Sequence, residues 1–107
     1  MSFNILPTPD FSRELKRLSK KYSSLKSDFS KLLISLEADP AMGQPLGNNC
    51  FKIRMVISSK NKGKSGGARV ITYVKIVDEV IYLLSIYDKS ETDTITDKEL
   101  LERTQGL

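Results

Sequence analysis

Apolar residues in the first third of the chain recur at the spacing of amphipathic helices. One stripe follows Thr8-Pro9-Asp10, a typical helix start, and consists of Phe11, Leu15, Leu18 and Tyr22. A second stripe ends before Asp39-Pro40 and consists of Leu25, Phe29, Leu32, Leu33 and Leu36. Because Ser23-Ser24 separates the two stripes, the sequence predicts two helices that form a hairpin against a flat partner.

The remaining segments show the alternation of strands. Ser2–Leu6 predicts a short first strand, and the Gly-, Pro- and Asn-rich segment Ala41–Asn49 predicts a loop. Three further strands of an antiparallel meander are predicted at 51–58, Ala68–Val77 and Val80–Tyr87.

A capping box at Thr96-Asp97-Lys98-Glu99 predicts a short last helix that reaches Thr104. The predicted order is therefore β-α-α-β-β-β-α. This is an α+β fold with a small, mostly antiparallel sheet backed by two N-terminal helices. A chain of 107 residues fits a single domain, 1–107.

Strand alternation also predicts which side chains share a face. If Phe51, Ile53 and Met55 face the helices, Lys52 and Arg54 point away from them. In the next two strands the predicted buried residues are Val70, Val74, Ile76, Val80, Tyr82, Leu84 and Ile86. The open face then collects Lys52, Arg54, Arg69, Tyr73, Lys75, Ser85 and Tyr87, with Lys89 just beyond.

Charge is strongly segregated along the chain. The net charge is +4, but residues 40–77 hold seven basic residues and no acidic one, while residues 78–107 hold eight acidic and three basic ones. The seven are Lys52, Arg54, Lys60, Lys62, Lys64, Arg69 and Lys75. Such a segment indicates a polyanionic ligand, and the alternative is an ordinary solvated loop.

The residue types narrow the chemistry. The chain has no histidine and a single cysteine, Cys50, which excludes an internal disulfide, His-dependent catalysis and a cysteine-based metal site. No apolar run approaches the ~20 residues that span a bilayer, and Met1–Pro9 lacks the pattern of a signal peptide. We therefore expect a cytoplasmic protein with no membrane partner, no metal and no cofactor.

Cations beside aromatic rings are the usual means of binding single-stranded nucleic acid. RNA also permits catalysis without histidine or metal, because its 2′-hydroxyl can attack the adjacent phosphate. Arginine suits the growing phosphate charge, and a lysine among other cations, such as Lys52 beside Arg54, is a candidate base. Binding without chemistry is the alternative that residue types alone favour.

Three segments resemble the RelE/ParE toxin superfamily, and most closely its RelE-like, HigB-type branch. They are Phe51-Lys52-Ile53-Arg54, the run from Lys62 to Arg69 (KGKSGGAR), and the run from Tyr82 to Lys89 (YLLSIYDK). The resemblance covers most of the chain, and the part from Lys62 to Tyr73 is the most specific.

The resemblance implies the toxin of a type II toxin–antitoxin pair, a metal-independent mRNA endonuclease that acts on the ribosome. The implied partners are mRNA and a cognate antitoxin, a helix-turn-helix protein encoded by an adjacent gene. By position, Lys52 and Arg54 match the family's basic pair, and Arg69 matches the arginine that stabilises the scissile phosphate. Lys89 lies where the family has an arginine that is suggested as the acid. The further RNA-binding residues that we predict, from the basic segment and the open face, are Lys60, Lys62, Lys64, Tyr73, Lys75 and Tyr87.

The chain also departs from the family. The family's C-terminal tyrosine has no counterpart at Thr94-Ile95, and the sequence leaves open whether Tyr87 takes its role. Two alternative functions remain. One is a ParE-like toxin that poisons DNA gyrase, and the other is a non-catalytic RNA-binding module. The seven basic residues of the segment 40–77 argue against the ParE-like toxin.

Overall fold

A computed structural model describes residues 3–60, 66–92 and 94–107 and confirms the predicted α+β fold. Three α-helices and a five-stranded sheet occur in these residues, and the sheet order is β1-β5-β4-β3-β2. Strands β1 and β5 are parallel, and the other neighbours are antiparallel. The elements are β1 Asn4–Pro7, α1 Pro9–Lys21, α2 Leu25–Ala38, β2 Gln44–Gly47, β3 Cys50–Met55, a 3-10 turn Ser58–Lys60, β4 Ala68–Lys75, β5 Val80–Asp88 and α3 Asp97–Thr104.

Two of the helices begin where the sequence predicts. The Thr8 hydroxyl accepts a hydrogen bond from the backbone N–H of Phe11 at 3.3 Å, and Pro9 occupies the first helical position. At α3, the Thr96 hydroxyl accepts from the N–H of Glu99 at 3.1 Å. Each cap satisfies a backbone donor that has no partner inside its helix.

The main core lies between the helix hairpin and one face of the sheet. Phe11 and Leu18 of α1 and Leu32 of α2 are buried in it, and their aromatic and aliphatic partners come from the sheet. Those sheet residues are Phe51, Ile53, Met55, Ala68, Val70, Val74, Ile81, Leu83 and Ile86. The predicted direction of Phe51, Ile53 and Met55 is therefore confirmed.

A second, smaller core lies on the opposite face. Leu100 of α3 packs there against Ile71, Leu84 and Tyr87. The face that we predicted to be open is thus partly covered by the last helix, because α3 turns an apolar side chain toward the sheet. Arg54 of β3 is exposed on this face, whereas Cys50 of the same strand is buried in the second core.

Strand β2 lies within the segment predicted to be a loop, so that part of the prediction was wrong. Pro45 can occupy this strand because β2 is at the edge of the sheet, where no further strand needs its missing N–H. The turn to β3 places Asn48 and Asn49 at φ of 53° and 61°, the left-handed pair that closes a tight hairpin.

A bulge in β5 reverses the predicted direction of some of its side chains. Ile71 pairs with Ser85 and Thr72 pairs with Leu83, so Leu84 is an extra residue without a partner on β4. Tyr82 and Leu84 consequently face away from the helix hairpin, whereas Ile86 faces it. The prediction was therefore wrong for Tyr82 and Leu84, since the bulge shifts the alternation between them and Ile86.

The burial predicted for Ile76 was also wrong, because 64% of this residue is exposed. Strand β4 ends at Lys75, so Ile76 belongs to the turn toward β5 and not to the sheet. Within the described parts of the chain, no helix combines the length and the apolar character needed to cross a membrane.

Candidate functional site

Three of the predicted site residues lie side by side across the sheet, on the face opposite α1 and α2. Arg54 of β3 is directly opposite Arg69 of β4, and Arg69 is directly opposite Tyr87 of β5. Side chains at such positions start about 5 Å apart. We call Arg54, Arg69 and Tyr87 the arginine row. Two neighbouring guanidinium groups present planar sets of N–H donors that match a phosphate group.

The two arginines differ in exposure. Arg54 is exposed, whereas Arg69 is only 5% exposed. The Nη1 of Arg69 donates a hydrogen bond to the backbone oxygen of Ala68 at 3.1 Å. Burial restricts the rotamers of Arg69 and fixes its position, while Arg54 remains free to reach a ligand from the solvent side.

Tyr87 completes the row with a hydroxyl that has unused hydrogen-bonding capacity. Its ring is buried against Ile71, Leu84 and Leu100, which leaves little surface for a stacked base. Its Oη is also buried and has no hydrogen-bond partner among the residues that the structure describes. Buried polar atoms nearly always have a partner, so this hydroxyl is a candidate ligand contact beside Arg69.

Lys52 lies one position along the sheet from the arginine row. It is half-buried and directly opposite Ile71, on the same face as Arg54. The next position on this face holds Tyr73, whose ring stacks on that of Tyr82 with centroids 6.1 Å apart and planes 16° from parallel. The sequence prediction included Tyr73 but not Tyr82, because the bulge that turns Tyr82 outward leaves no signal in the sequence.

Lys89 follows the end of β5, beyond the arginine row. Its backbone N–H donates to the oxygen of Gly67 at 3.0 Å, which joins the end of β5 to the start of β4. A Cβ at Gly67 would lie 2.2 Å from the backbone oxygen of Met55, so only glycine fits this approach. Gly67, the third glycine of the run from Lys62 to Arg69, is therefore required by strand packing.

Lys60 lies on the helix side of the sheet, away from the arginine row. Its Nζ is 3.0 Å from Asp88 Oδ1 and lies over the ring of Tyr22, whose hydroxyl also donates to Asp88. The hydrogen bond with Asp88 raises the pKa of Lys60. Burial alone would raise the pKa of Asp88, but hydrogen bonds from Tyr22, Ser90 and Lys60 outweigh it and hold that pKa far below its usual range.

A second buried carboxylate fixes the turn that carries Lys60. Asp28 of α2 accepts from the backbone N–H of Ser58 at 2.9 Å, from the Ser58 hydroxyl at 2.6 Å and from the Ser24 hydroxyl at 2.8 Å. Burial opposes ionisation of Asp28, yet these donors keep its pKa below the usual value. Asp28 and Asp88 together hold the 3-10 turn Ser58–Lys60 against the helix hairpin.

The other predicted lysines fall outside the row. Lys75 forms an ion pair with Asp78 across the turn from β4 to β5, with 3.0 Å between Nζ and Oδ2, and the hydrogen bond to Asp78 raises its pKa. Lys62 and Lys64 lie outside the described residues.

Helix α3 is fastened over the sheet by an ion pair that sequence reasoning missed. Arg103 donates to both carboxylate oxygens of Glu14 on α1, at 3.0 and 2.9 Å, and to the backbone oxygen of Leu84 at 2.8 Å. Glu14 in turn accepts from the backbone N–H of Ile86 at 3.2 Å. The pair thus satisfies backbone groups of β5 next to its bulge, where strand β1 has already ended.

The described residues offer neither a metal-binding cluster nor an exposed thiol. Residues 3–60, 66–92 and 94–107 contain no group of three His, Cys, Asp or Glu residues that could hold a metal ion. Cys50 is buried in the second core, and this burial raises the pKa of its thiol. Cys50 is therefore a packing residue.

Comparison with known proteins places the fold. A double mutant of the Escherichia coli toxin RelE in the free state is similar with a TM-score of 0.67 and 20% identity, over 97% of this chain and 99% of that one. The E. coli RelBE toxin–antitoxin complex gives a TM-score of 0.64 at 18% identity, over 81% and 96%. The RelBE2 complex of Mycobacterium tuberculosis gives 0.61 at 16%, over 82% and 99%.

These similarities lie in the structure and not in the overall sequence. No model of a known protein family matches the chain, and no curated protein matches it either. The resemblance to RelE toxins found in three short segments is confirmed at the level of the fold, whereas the HigB branch stays a prediction. The chain therefore has the fold of the RelE toxins.

Proposed function

We propose that this chain is the toxin of a type II toxin–antitoxin pair and that it cuts mRNA without a metal ion. The observation that carries the proposal is the arginine row, two directly opposite arginines beside a buried tyrosine hydroxyl, in a sheet with the fold of RelE toxins. The acid-free charge of residues 40–77 supports a polyanionic substrate.

The proposed reaction uses the 2′-hydroxyl of RNA as nucleophile. Its oxygen attacks the adjacent phosphorus, and the bond from phosphorus to the 5′ oxygen breaks. The products are a 2′,3′-cyclic phosphate and a free 5′-hydroxyl. A base takes the proton of the 2′-hydroxyl, and an acid gives a proton to the 5′ oxygen.

The residues take distinct roles in this proposal. Arg54 and Arg69 bind the scissile phosphate and stabilise the charge that grows on its oxygens, which lowers the energy of the transition state more than that of the bound substrate. Lys52 is the candidate base and Lys89 the candidate acid. The Tyr87 hydroxyl contributes a hydrogen bond to the same phosphate or to the attacking oxygen.

The proposed partners are ribosome-bound mRNA and a cognate antitoxin. Two of the similar structures are toxin–antitoxin complexes, which supports an antitoxin partner. An acidic helical segment of the antitoxin would complement the basic face of the sheet. Co-expression with a helix-turn-helix protein encoded next to this gene should abolish growth arrest.

The test of the nuclease is the set of variants Arg54→Ala, Arg69→Ala and Lys89→Ala. Loss of one donor to the developing charge typically costs about 10²–10³-fold in rate, so each arginine variant should lose growth arrest and most cleavage. Primer extension after brief induction maps the new mRNA ends, and Lys98→Ala, an exposed lysine of α3, is the matched control.

Two outcomes would count against the proposal. If all three variants arrest growth and cut mRNA as the wild type does, the arginine row is not the site. If induction causes DNA damage with intact mRNA, the chain acts as a gyrase poison of the ParE kind.

A further inference from the structure

The stacked tyrosines on the sheet form an aromatic surface next to the arginine row. Tyr73 and Tyr82 are direct partners on β4 and β5, with ring centroids 6.1 Å apart and planes 16° from parallel. Both rings are half-buried, so each keeps part of its surface accessible. They face the same side of the sheet as Arg54 and Arg69, because Arg69 and Tyr73 are four residues apart on one regular strand.

We propose that the Tyr73–Tyr82 pair binds an unstacked base of the same single-stranded RNA whose phosphate contacts the arginine row. This inference rests on the proposed function and deepens it, since it adds a base-binding subsite to a phosphate-binding one. Every base has a π-face, so an aromatic surface of this kind binds single strands with little dependence on sequence.

The distance between the two subsites suits a short stretch of RNA. From Arg69 to Tyr73 the strand rises about 13 Å at ~3.3 Å per residue. Stacked nucleotides are spaced by ~3.4 Å along a strand, so the bound base lies within about four nucleotides of the scissile phosphate. A more extended strand would reach the pair in fewer nucleotides.

Lys52 lies on one side of the aromatic pair, and Lys75, which is ion-paired with Asp78, lies on the other. Lys52 is opposite Ile71, which lies midway between Arg69 and Tyr73 on β4, so its ammonium group can contact a phosphate between the two subsites. Lys75 lies beyond Tyr73 on the same face of β4, with about a third of its side chain exposed beside Asp78. Alternating cations and aromatic rings are the arrangement that tracks a single-stranded backbone and its bases.

The competing explanation is that the tyrosines only pack against the second core. Leucine keeps most of the apolar contact with that core but lacks a π-face, whereas phenylalanine keeps the face and loses only the hydroxyl. The variants Tyr73→Leu and Tyr82→Leu, each matched with its phenylalanine variant, therefore separate stacking from packing.

The assay uses short RNA that cannot be cut because the nucleotide supplying the nucleophile is 2′-deoxy. A single 2-aminopurine is moved through the four positions on either side of the cleavage site. We expect quenching in the wild type at one position. We also expect about 5- to 150-fold weaker binding in both leucine variants, from the 1–3 kcal/mol typical of one stacked base, and near wild-type binding in both phenylalanine variants.

A second measurement needs no variant. RNA with 4-thiouridine at the quenched position is cross-linked to the wild type by light, and the modified peptide is identified by mass spectrometry. A cross-link to Tyr73 or Tyr82 is expected. Cross-links found only elsewhere would overturn the proposal even if a leucine variant failed to fold.

Failure of this inference differs from failure of the nuclease. If the wild type cuts mRNA and the leucine variants bind as tightly as the phenylalanine variants, the stacking subsite is wrong and the nuclease stands. If quenching and its loss occur as expected but no mRNA is cut, the subsite stands and the nuclease is wrong. Absence of quenching at every position in the wild type refutes the subsite.

Discussion

Replacing Asp88 by asparagine tests how strongly the buried ion pair with Lys60 stabilises the fold. Asp88 is fully buried and accepts hydrogen bonds from the side chains of Tyr22, Lys60 and Ser90 and from the backbone N–H of Ser90. Asparagine has one acceptor oxygen, and its amide group would meet a donor. The variant therefore leaves an ammonium group that is only 11% exposed without its counter-charge.

The size of the effect follows from that burial. Breaking a buried ion pair by removing one partner typically costs about 3–5 kcal/mol. At about 4 °C per kcal/mol for a chain of this length, the Tm should fall by about 12–20 °C. The assay is thermal unfolding followed by circular dichroism, repeated in urea to obtain the free energy of unfolding.

The chain contains a matched control for this experiment. Lys75 and Asp78 form an ion pair with the same 3.0 Å separation, but their side chains are 33% and 50% exposed. Water screens such a pair, so Asp78→Asn should leave the Tm almost unchanged. Equal effects of Asp88→Asn and Asp78→Asn would refute the argument that burial determines the strength of these pairs.

The same pair predicts a pH dependence. The pKa of Asp88 is lower in the folded state than in the unfolded chain, where it is about 3.9. The unfolded state therefore binds the proton more readily, and the stabilisation is fully present above about pH 5 and is lost as the pH falls toward the folded pKa. The wild type should lose more stability than Asp88→Asn between pH 5 and pH 3, and parallel curves would contradict this assignment.

Two further predictions concern packing around the sheet. Gly67→Ala should lower the free energy of unfolding by about 1–3 kcal/mol, because its Cβ would lie 2.2 Å from the backbone oxygen of Met55. A variant as stable as the wild type would show that the two strands are not tightly packed at Gly67. Arg103→Met should lower the free energy of unfolding, measured in urea, by about 1.5–3 kcal/mol, because it removes charged hydrogen bonds to the half-buried Glu14. The control is Arg13→Met, which breaks an exposed ion pair with Asp10 and should have little effect.

Where one side of a strand is polar, the sequence correctly predicted which face of the sheet each side chain occupies. In β3, Lys52 and Arg54 alternate with Phe51, Ile53 and Met55, so only one choice of face buries the apolar set. The arginine row could be anticipated for the same reason, because Arg69 is the only charged residue in the first half of β4.

The prediction failed where a strand is apolar on both sides. Strand β5 reads VIYLLSIYD, and the alternation fits a continuous strand as well as one with a bulge at Leu84. The bulge is set by pairing with β4 and by the contacts of Glu14 and Arg103 to the backbone of β5, which are distant in sequence. Tyr82 was for this reason assigned to the buried face, and its stacking on Tyr73 was missed.

Counting charges along the chain overestimated the size of the basic surface. The eight acidic residues after position 77 include the partners of two lysines in the acid-free segment, because Asp88 pairs with Lys60 and Asp78 pairs with Lys75. Acidic and basic residues that are segregated along the sequence therefore partly neutralise each other in the fold. Lys52 and Arg54 are the cations of the segment that lie on β3 and face away from the helix hairpin, and Arg54 is exposed there. The phosphate-binding surface on this face is consequently smaller than the charge count suggests, and the proposed RNA contacts rest on Lys52, Arg54 and Arg69.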